Sequence, residues 1–231
     1  IIDGLKKLEY RGYDSAGVAI IHDGKTKRIR AQGKLKALED KVQNEAFNGH
    51  VGIGHTRWAT HGAPNERNAH PHQVGEISLV HNGIIENYLE IKEELLAQGA
   101  VIASDTDSEL VAHLIWNEIQ KNQNLLQSVQ NILNKIIGAF SIVVLWEKSP
   151  NELVAFKDGP PLIVGLSKDK SNSEFFVVSD VQAALVHTNR FVYLNDREVV
   201  HIKDHAVNYY NAQGEKLQKE VSILDWSTDR A

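Results

Sequence analysis

Apolar residues recur along this chain with two different periods, and the changeover falls near residue 138. Ile1, Ile2, Leu5 and Leu8 sit at helical spacing and predict a helix already under way at the first residue, with no capping residue before it. Residues 18–21 and 26–31 flank the turn sequence His22-Asp23-Gly24-Lys25 and predict a hairpin. A short helix is expected over 34–42. Val51, Ile53 and His55 alternate with small residues, predicting a strand that ends near Arg57. A second strand, 77–80, runs into Asn82-Gly83.

Asn87-x-x-Glu90 and Thr106-x-x-Glu109 have the form of capping boxes. Each precedes a one-faced apolar set: Ile91, Leu95 and Leu96 stopped by Gly99, then Leu110, Val111, Leu114 and Ile115. A third helix covers 125–136. Beyond it the spacing shortens to that of strands at 139–146, 153–156, 162–166, 175–178, 191–194, 199–202 and 207–210, interrupted by one short helix at 180–185. Helices first and strands afterwards predict an α+β fold with largely antiparallel sheets. Ser141-Ile142-Val143-Val144-Leu145 is apolar on both faces, which asks for cover on both sides: two packed sheets with helices outside.

Composition narrows the function classes. The 231 residues are 42% hydrophobic and 24% charged, as in a soluble globular protein. A formal charge of −5, with no basic run longer than Lys25–Arg30, argues against a nucleic-acid surface. No apolar run approaches the ~20 residues that span a bilayer. The absence of cysteine excludes disulfides and thiolate metal sites within these residues and fits a reducing, cytoplasmic setting. A start without methionine, inside a helix, predicts further chain upstream.

Candidate chemistry collects in the first half. Residues 58–75 hold Pro64, Pro71 and many polar groups and read as a long ordered loop of the functional kind, whereas 167–173 reads as a mobile one. Arg57, where a strand meets that loop, suits a bidentate hold on a carboxylate, though a lone arginine more often makes a structural ion pair. Asp107 in the first turn of a helix compensates the helix dipole by default. Together the two could grip an α-amino acid. Asn82-Gly83 offers an amide side chain beside a glycine N–H, the elements of an oxyanion hole. His55, His61, His70, His72 and His81 raise a metal site, with His70-x-His72 its strongest pair. Few acids lie nearby to complete or orient it, so no metal is expected. No nucleophile elbow and no phosphate-cradling glycine loop appears, so no cofactor is expected.

Six segments carry a resemblance: Gly54-His55-Thr56-Arg57-Trp58-Ala59-Thr60-His61-Gly62 with Asn68-Ala69-His70-Pro71-His72; His81-Asn82-Gly83-Ile84-Ile85-Glu86-Asn87; Ser104-Asp105-Thr106-Asp107-Ser108-Glu109; and Leu8-Glu9-Tyr10-Arg11-Gly12-Tyr13-Asp14-Ser15-Ala16-Gly17 with Asp158-Gly159-Pro160-Pro161-Leu162. They resemble the glutaminase domain of the glucosamine-6-phosphate synthases, class II glutamine amidotransferases, over essentially the whole chain. Amidophosphoribosyltransferase, asparagine synthetase and glutamate synthase share parts of the set.

The resemblance implies a four-layer αββα sandwich of two antiparallel sheets, the N-terminal-nucleophile hydrolase fold. It implies one glutaminase domain over 1–231, with 221–231 entering a linker to a sugar-phosphate isomerase domain of the same full-length chain, a homodimer. It implies that Arg57 binds the glutamine carboxylate and Asp107, with the Gly83 carbonyl, the α-ammonium. The Asn82 side chain and the Gly83 N–H would form the oxyanion hole. Trp58, Thr60 and His61 would belong to a loop closing over glutamine, and Arg11 would lie near the nucleophile. That nucleophile is an N-terminal cysteine in a Cys-Gly segment that nothing here matches, so these residues alone are expected to be inactive. A catalytically inert module that binds an amino acid or a partner domain stays open beside the enzyme, and the N-terminus of the intact protein decides between them.

Overall fold

A strand that is apolar on both faces must be covered on both, and this requirement organises the molecule. The computed structural model describes residues 1–58, 62–167 and 174–225. The elements run α1 (Ile2–Leu8), β1 (Ser15–His22), β2 (Lys25–Gln32), α2 (Leu35–Val42), β3 (Gly52–Arg57), β4 (His72–Val74), β5 (Ile77–Ile85), α3 (Tyr88–Ala97), α4 (Asp107–Asn122) and α5 (Leu125–Leu133). Strands follow: β6 (Gly138–Trp146), β7 (Glu152–Asp158), β8 (Ile163–Leu166), β9 (Phe175–Val178), β10 (Arg190–Tyr193), β11 (Val199–Lys203), β12 (Ala206–Tyr210), β13 (Lys216–Leu217) and β14 (Ser222–Ile223).

β6 lies within a seven-stranded sheet of order β13-β12-β11-β7-β6-β5-β4, with every pairing antiparallel. Its residues alternate between two cores. Phe140, Ile142, Val144 and Trp146 pack with Ile91 and Leu95 of α3, Leu110, Ile115 and Ile119 of α4, and Val129 and Ile132 of α5. Val143 and Leu145 point the other way, into a core shared with Ala19 and Ile21 of β1, Ile53 of β3, Val164 of β8 and Val192 of β10. Each such fully buried aliphatic side chain contributes roughly 1.5–3 kcal/mol relative to exposure. A third core, Leu5, Val18, Leu35 and Leu38, seats α1 and α2 on the outer face of β1. The layers are therefore helices, sheet, sheet, helices, as expected.

The second sheet layer is in two hydrogen-bonded pieces among the described residues, β2-β1-β3 and β14-β10-β8-β9. The β1–β2 hairpin closes on Asp23 and Gly24, both at positive φ (49° and 73°), as a two-residue turn matched to strand twist requires. The helix expected over 180–185 is only a 3₁₀ turn at Val181–Ala183, with the Asp180 side chain accepting from the Gln182 N–H. Residues 222–223, inside the stretch expected to enter a linker, pair with β10. Of the loop expected at 167–173, residues 168–173 lie outside the described residues. No helix among the described residues is long and apolar enough to cross a membrane.

Candidate functional site

Strand alternation decides which side chains of the site meet. On β3, Ile53, His55 and Arg57 share one face; on β5, Val80, Asn82 and Ile84 share one. Ile53 and Val80 meet in the core between the sheet layers. The polar ends of the same two faces therefore line a cavity of about 860 Å³, together with Arg11, Trp58, Gly83 and Asp107.

Arg57 ends β3 and is only 4% exposed. Its guanidinium donates to the carbonyls of Gly62 and Ala63 at 3.4 Å each and lies 3.8 Å from Asp14 Oδ1. Burial lowers its pKa, and the charges of Asp14 and Asp107 oppose that shift. Asp107 opens α4 and is buried. Its Oδ2 accepts the Ile85 N–H at 2.8 Å, so the carboxylate ties the start of α4 to the end of β5 instead of only facing the helix dipole.

The expectation that Asn82-Gly83 lies at a strand end is corrected by the structure. β5 continues to Ile85, and Asn82 and Gly83 pair with Ser141 and Phe140 of β6. Gly83 has φ +127°, and a Cβ there would stand 1.9 Å from the Ala139 carbonyl oxygen. Only glycine fits, and the backbone consequently presents an exposed stretch to the cavity. The Asn82 Oδ1 is 2.7 Å from His55 Nε2.

Trp58 is 60% exposed at the rim, edge-on to Tyr13 with ring centroids 5.3 Å apart. Arg11 lies 3.7 Å from Asp180 Oδ2, which also accepts from the Tyr10 hydroxyl at 3.2 Å. Thr60 and His61 lie outside the described residues.

Four of the five histidines weighed as ligands form a row that reaches the cavity wall at His55, His70 and His81; His70, His72 and His81 are buried and His55 is half-buried. The His55 and His70 rings are 4.3 Å apart and those of His70 and His72 4.7 Å. Ser108 Oγ bridges His70 Nε2 at 3.0 Å and His81 Nδ1 at 2.9 Å, and Thr106 Oγ1 meets His72 Nε2 at 3.0 Å. Burial pushes His55 down to about 4 and His72 to about 3, and lowers His70 and His81 as well. These rings are neutral members of a packed polar network. Among the described residues no group of three or more His, Cys, Asp or Glu is arranged to hold a metal ion.

Sequence reasoning did not single out Asp14, His55 as a partner of Asn82, or Ser108. The spacing of His55 and Arg57 along one strand face was the available signal for His55. Ser108 lies in a segment that carries the resemblance, but nothing in its own residue type or position marks it as a partner of histidines.

Comparison with known proteins identifies the family and the fold. Residues 55–186 match a family described as a glutamine amidotransferase domain. A glutamine–fructose-6-phosphate aminotransferase (isomerising) of Aquifex aeolicus is 45% identical over 98% of this chain and 38% of the relative. The enzyme of the same name from Clostridium acetobutylicum is 42% identical over 100% of this chain and 37% of the relative. The chain thus spans less than two-fifths of the length of these relatives. A solved structure of the Bacillus subtilis glutamine phosphoribosylpyrophosphate amidotransferase superposes with a TM-score of 0.77 at 25% identity, over 91% of this chain and 46% of the other.

Proposed function

The chain belongs to the glutamine amidotransferase family, and from that premise we propose that its cavity binds glutamine, releases the side-chain amide as ammonia and passes it to a sugar-phosphate isomerase domain of the same polypeptide. The observation that carries this is the convergence of one buried guanidinium, one buried carboxylate and one amide side chain on a single cavity. An α-amino acid presents the complementary set: a carboxylate for Arg57, an ammonium for Asp107 and the Gly83 carbonyl, and a side-chain amide near Asn82. The acceptor half of the proposal rests on the activity named for the relatives and on the share of their length that lies outside this chain. A cytoplasmic location follows from that choice of acceptor.

In this reading Asn82 and the Gly83 N–H stabilise the oxygen that becomes negative when the amide carbon is attacked. The attacking group is a cysteine thiol at the N-terminus of the intact polypeptide, carried on a strand that enters the gap between the pieces of the second sheet. β3 and β9 are edge strands of those two pieces, and both line the cavity. The thiol proton passes to the cysteine's own α-amino group, whose ordinary pKa of about 7.7–8.0 suits a base near neutral pH. The S–C bond forms, the C–N bond breaks as that proton goes to the leaving nitrogen, and water then hydrolyses the thioester to glutamate and free thiol. Trp58, at the rim, covers the bound substrate, and Arg11 stands near the nucleophile.

Labelling tests the reading. A diazo-ketone analogue of glutamine is expected to add once to the N-terminal cysteine of the intact protein, and glutamine should protect against it. An intact protein with a Cys-Gly start that takes up no label would overturn it.

A further inference from the structure

We infer that His55 is a positioning residue: it donates its Nε2–H to Oδ1 of Asn82 and so turns the Asn82 NH₂ into the cavity. The inference rests on the reading of Asn82 as an oxyanion donor and adds what makes that residue work. An asparagine amide has nearly the same shape in its two flipped orientations, and only one of them presents a donor to the cavity. Something must choose between them.

The His55 contact makes the choice. Oδ1 can only accept, so the 2.7 Å contact requires the proton on Nε2. The other ring nitrogen points to the same tautomer. Nδ1 of His55 is buried and has no hydrogen-bond partner among the described residues. A bare lone pair is tolerated there better than an orphaned N–H. Nε2–H therefore meets both constraints, whereas Nδ1–H would bury an unmatched donor and set two lone pairs against each other.

The ring is itself held. Its strand is paired to β1 at Gly17, and it packs against His70, whose own Nε2 is fixed by Ser108. Burial keeps the ring neutral, with its pKa pushed down to about 4, so it donates without adding a second positive charge near Arg57. Oxyanion donors act on the transition state only if aligned beforehand. The expected signature of losing His55 is therefore a fall in kcat without a change in substrate binding.

The test uses the intact polypeptide. His55→Phe should lower kcat for glutamine hydrolysis about 10–100-fold, less than the roughly 10²–10³-fold expected for Asn82→Ala, and leave KM within about twofold. His55→Gln places an amide N–H near the lost Nε2–H and should recover much of the rate. In an Asn82→Ala background His55→Phe should have little further effect. Equal losses with and without Asn82, or a glutamine variant no better than phenylalanine, would show a merely structural histidine and overturn the proposal. Asn82→Ala with unchanged kcat would instead sink the oxyanion reading. The ¹⁵N spectrum of His55, assigned by its loss in His55→Gln, judges the positioning by itself. A neutral ring protonated on Nε2 supports it, and one protonated on Nδ1 overturns it.

Discussion

At the scale of single residues, the site depends on groups whose charge is committed by what surrounds them. Arg57 is buried beside Asp14, and Asp107 spends one oxygen on the Ile85 N–H. Their proposed division of labour is testable by substitutions that remove the charge and keep a polar side chain. In Asp107→Asn an amide oxygen can still accept from Ile85 while the negative charge is gone. We expect this variant to lose its preference for glutamine over the deaminated analogue and to keep its preference over the decarboxylated one. Arg57→Gln should do the reverse. Leaving a buried charge unmatched costs several kcal/mol, more than a missing methylene does, so the effects on kcat/KM should exceed tenfold. Equal losses for all three amides in both variants would mean that the two residues support the fold only. Arg57, Asp107, Asn82 and Gly83 were legible because each is a chemically distinctive type at an element boundary or beside a glycine. Asp14 and Ser108 were not, because an ordinary aspartate in a turn and a serine in a helix gain meaning only from neighbours brought near by folding.

At the scale of elements, periodicity located the helices and the longer strands but not the short strands β4, β13 and β14, and the errors fall where local signals compete with long-range partners. Asn82-Gly83 has the sequence of a tight turn, yet pairing with β6 carries β5 through it to Ile85. Thr106-x-x-Glu109 does open α4, but not as a capping box. The Thr106 hydroxyl goes to His72, and the Glu109 carboxylate accepts from the N–H groups of Ala103 and Ser104 at 2.7 and 2.5 Å. The box thus fastens the preceding loop. Burial pushes the Glu109 pKa up, but the hydrogen bonds it accepts outweigh this and bring it to about 2. A carboxylate with a depressed folded pKa stabilises fully above its unfolded value of about 4.3 and loses that contribution as pH falls toward the folded value. Glu109→Gln should therefore lower stability by about 2 kcal/mol at pH 7, in the range of hydrogen bonds to charged groups, and by clearly less at pH 3. Urea unfolding at the two pH values measures it. An undiminished difference at pH 3 would assign the effect to packing instead of charge.

At the scale of the whole molecule, the layers were legible because a strand apolar on both faces admits few arrangements. The division of the second layer into two sheets was not, since which strand edges remain unpaired depends on partners that periodicity does not name. The histidine row joins these layers: His55 comes from β3, His70 from the loop before β4, His72 from β4 and His81 from β5. All four pKa values are lowered by burial. Once the chain unfolds, each ring returns to about 6.5. Below that pH the unfolded chain binds protons that the folded one refuses, so stability falls as pH drops from about 6.5 toward the folded values near 4 for His55 and near 3 for His72. Above about 7 the rings are neutral in both states and contribute no pH dependence. The depressed carboxylates, Glu109 and Glu118 at about 2, act only at lower pH and leave this window to the histidines. Urea unfolding should show a slope that is near zero at pH 7.5 and steepens toward pH 5.5, where uptake of two protons or more corresponds to at least about 2.7 kcal/mol per pH unit. His72→Gln can keep a donor toward Thr106, and it should reduce the slope near pH 5.5 by close to one proton, about 1.4 kcal/mol per pH unit. Stability that stays flat from pH 7.5 to 5 would mean that these rings take up protons in the fold as readily as in the unfolded chain, and with that the neutral polar network at the cavity wall would have to be abandoned.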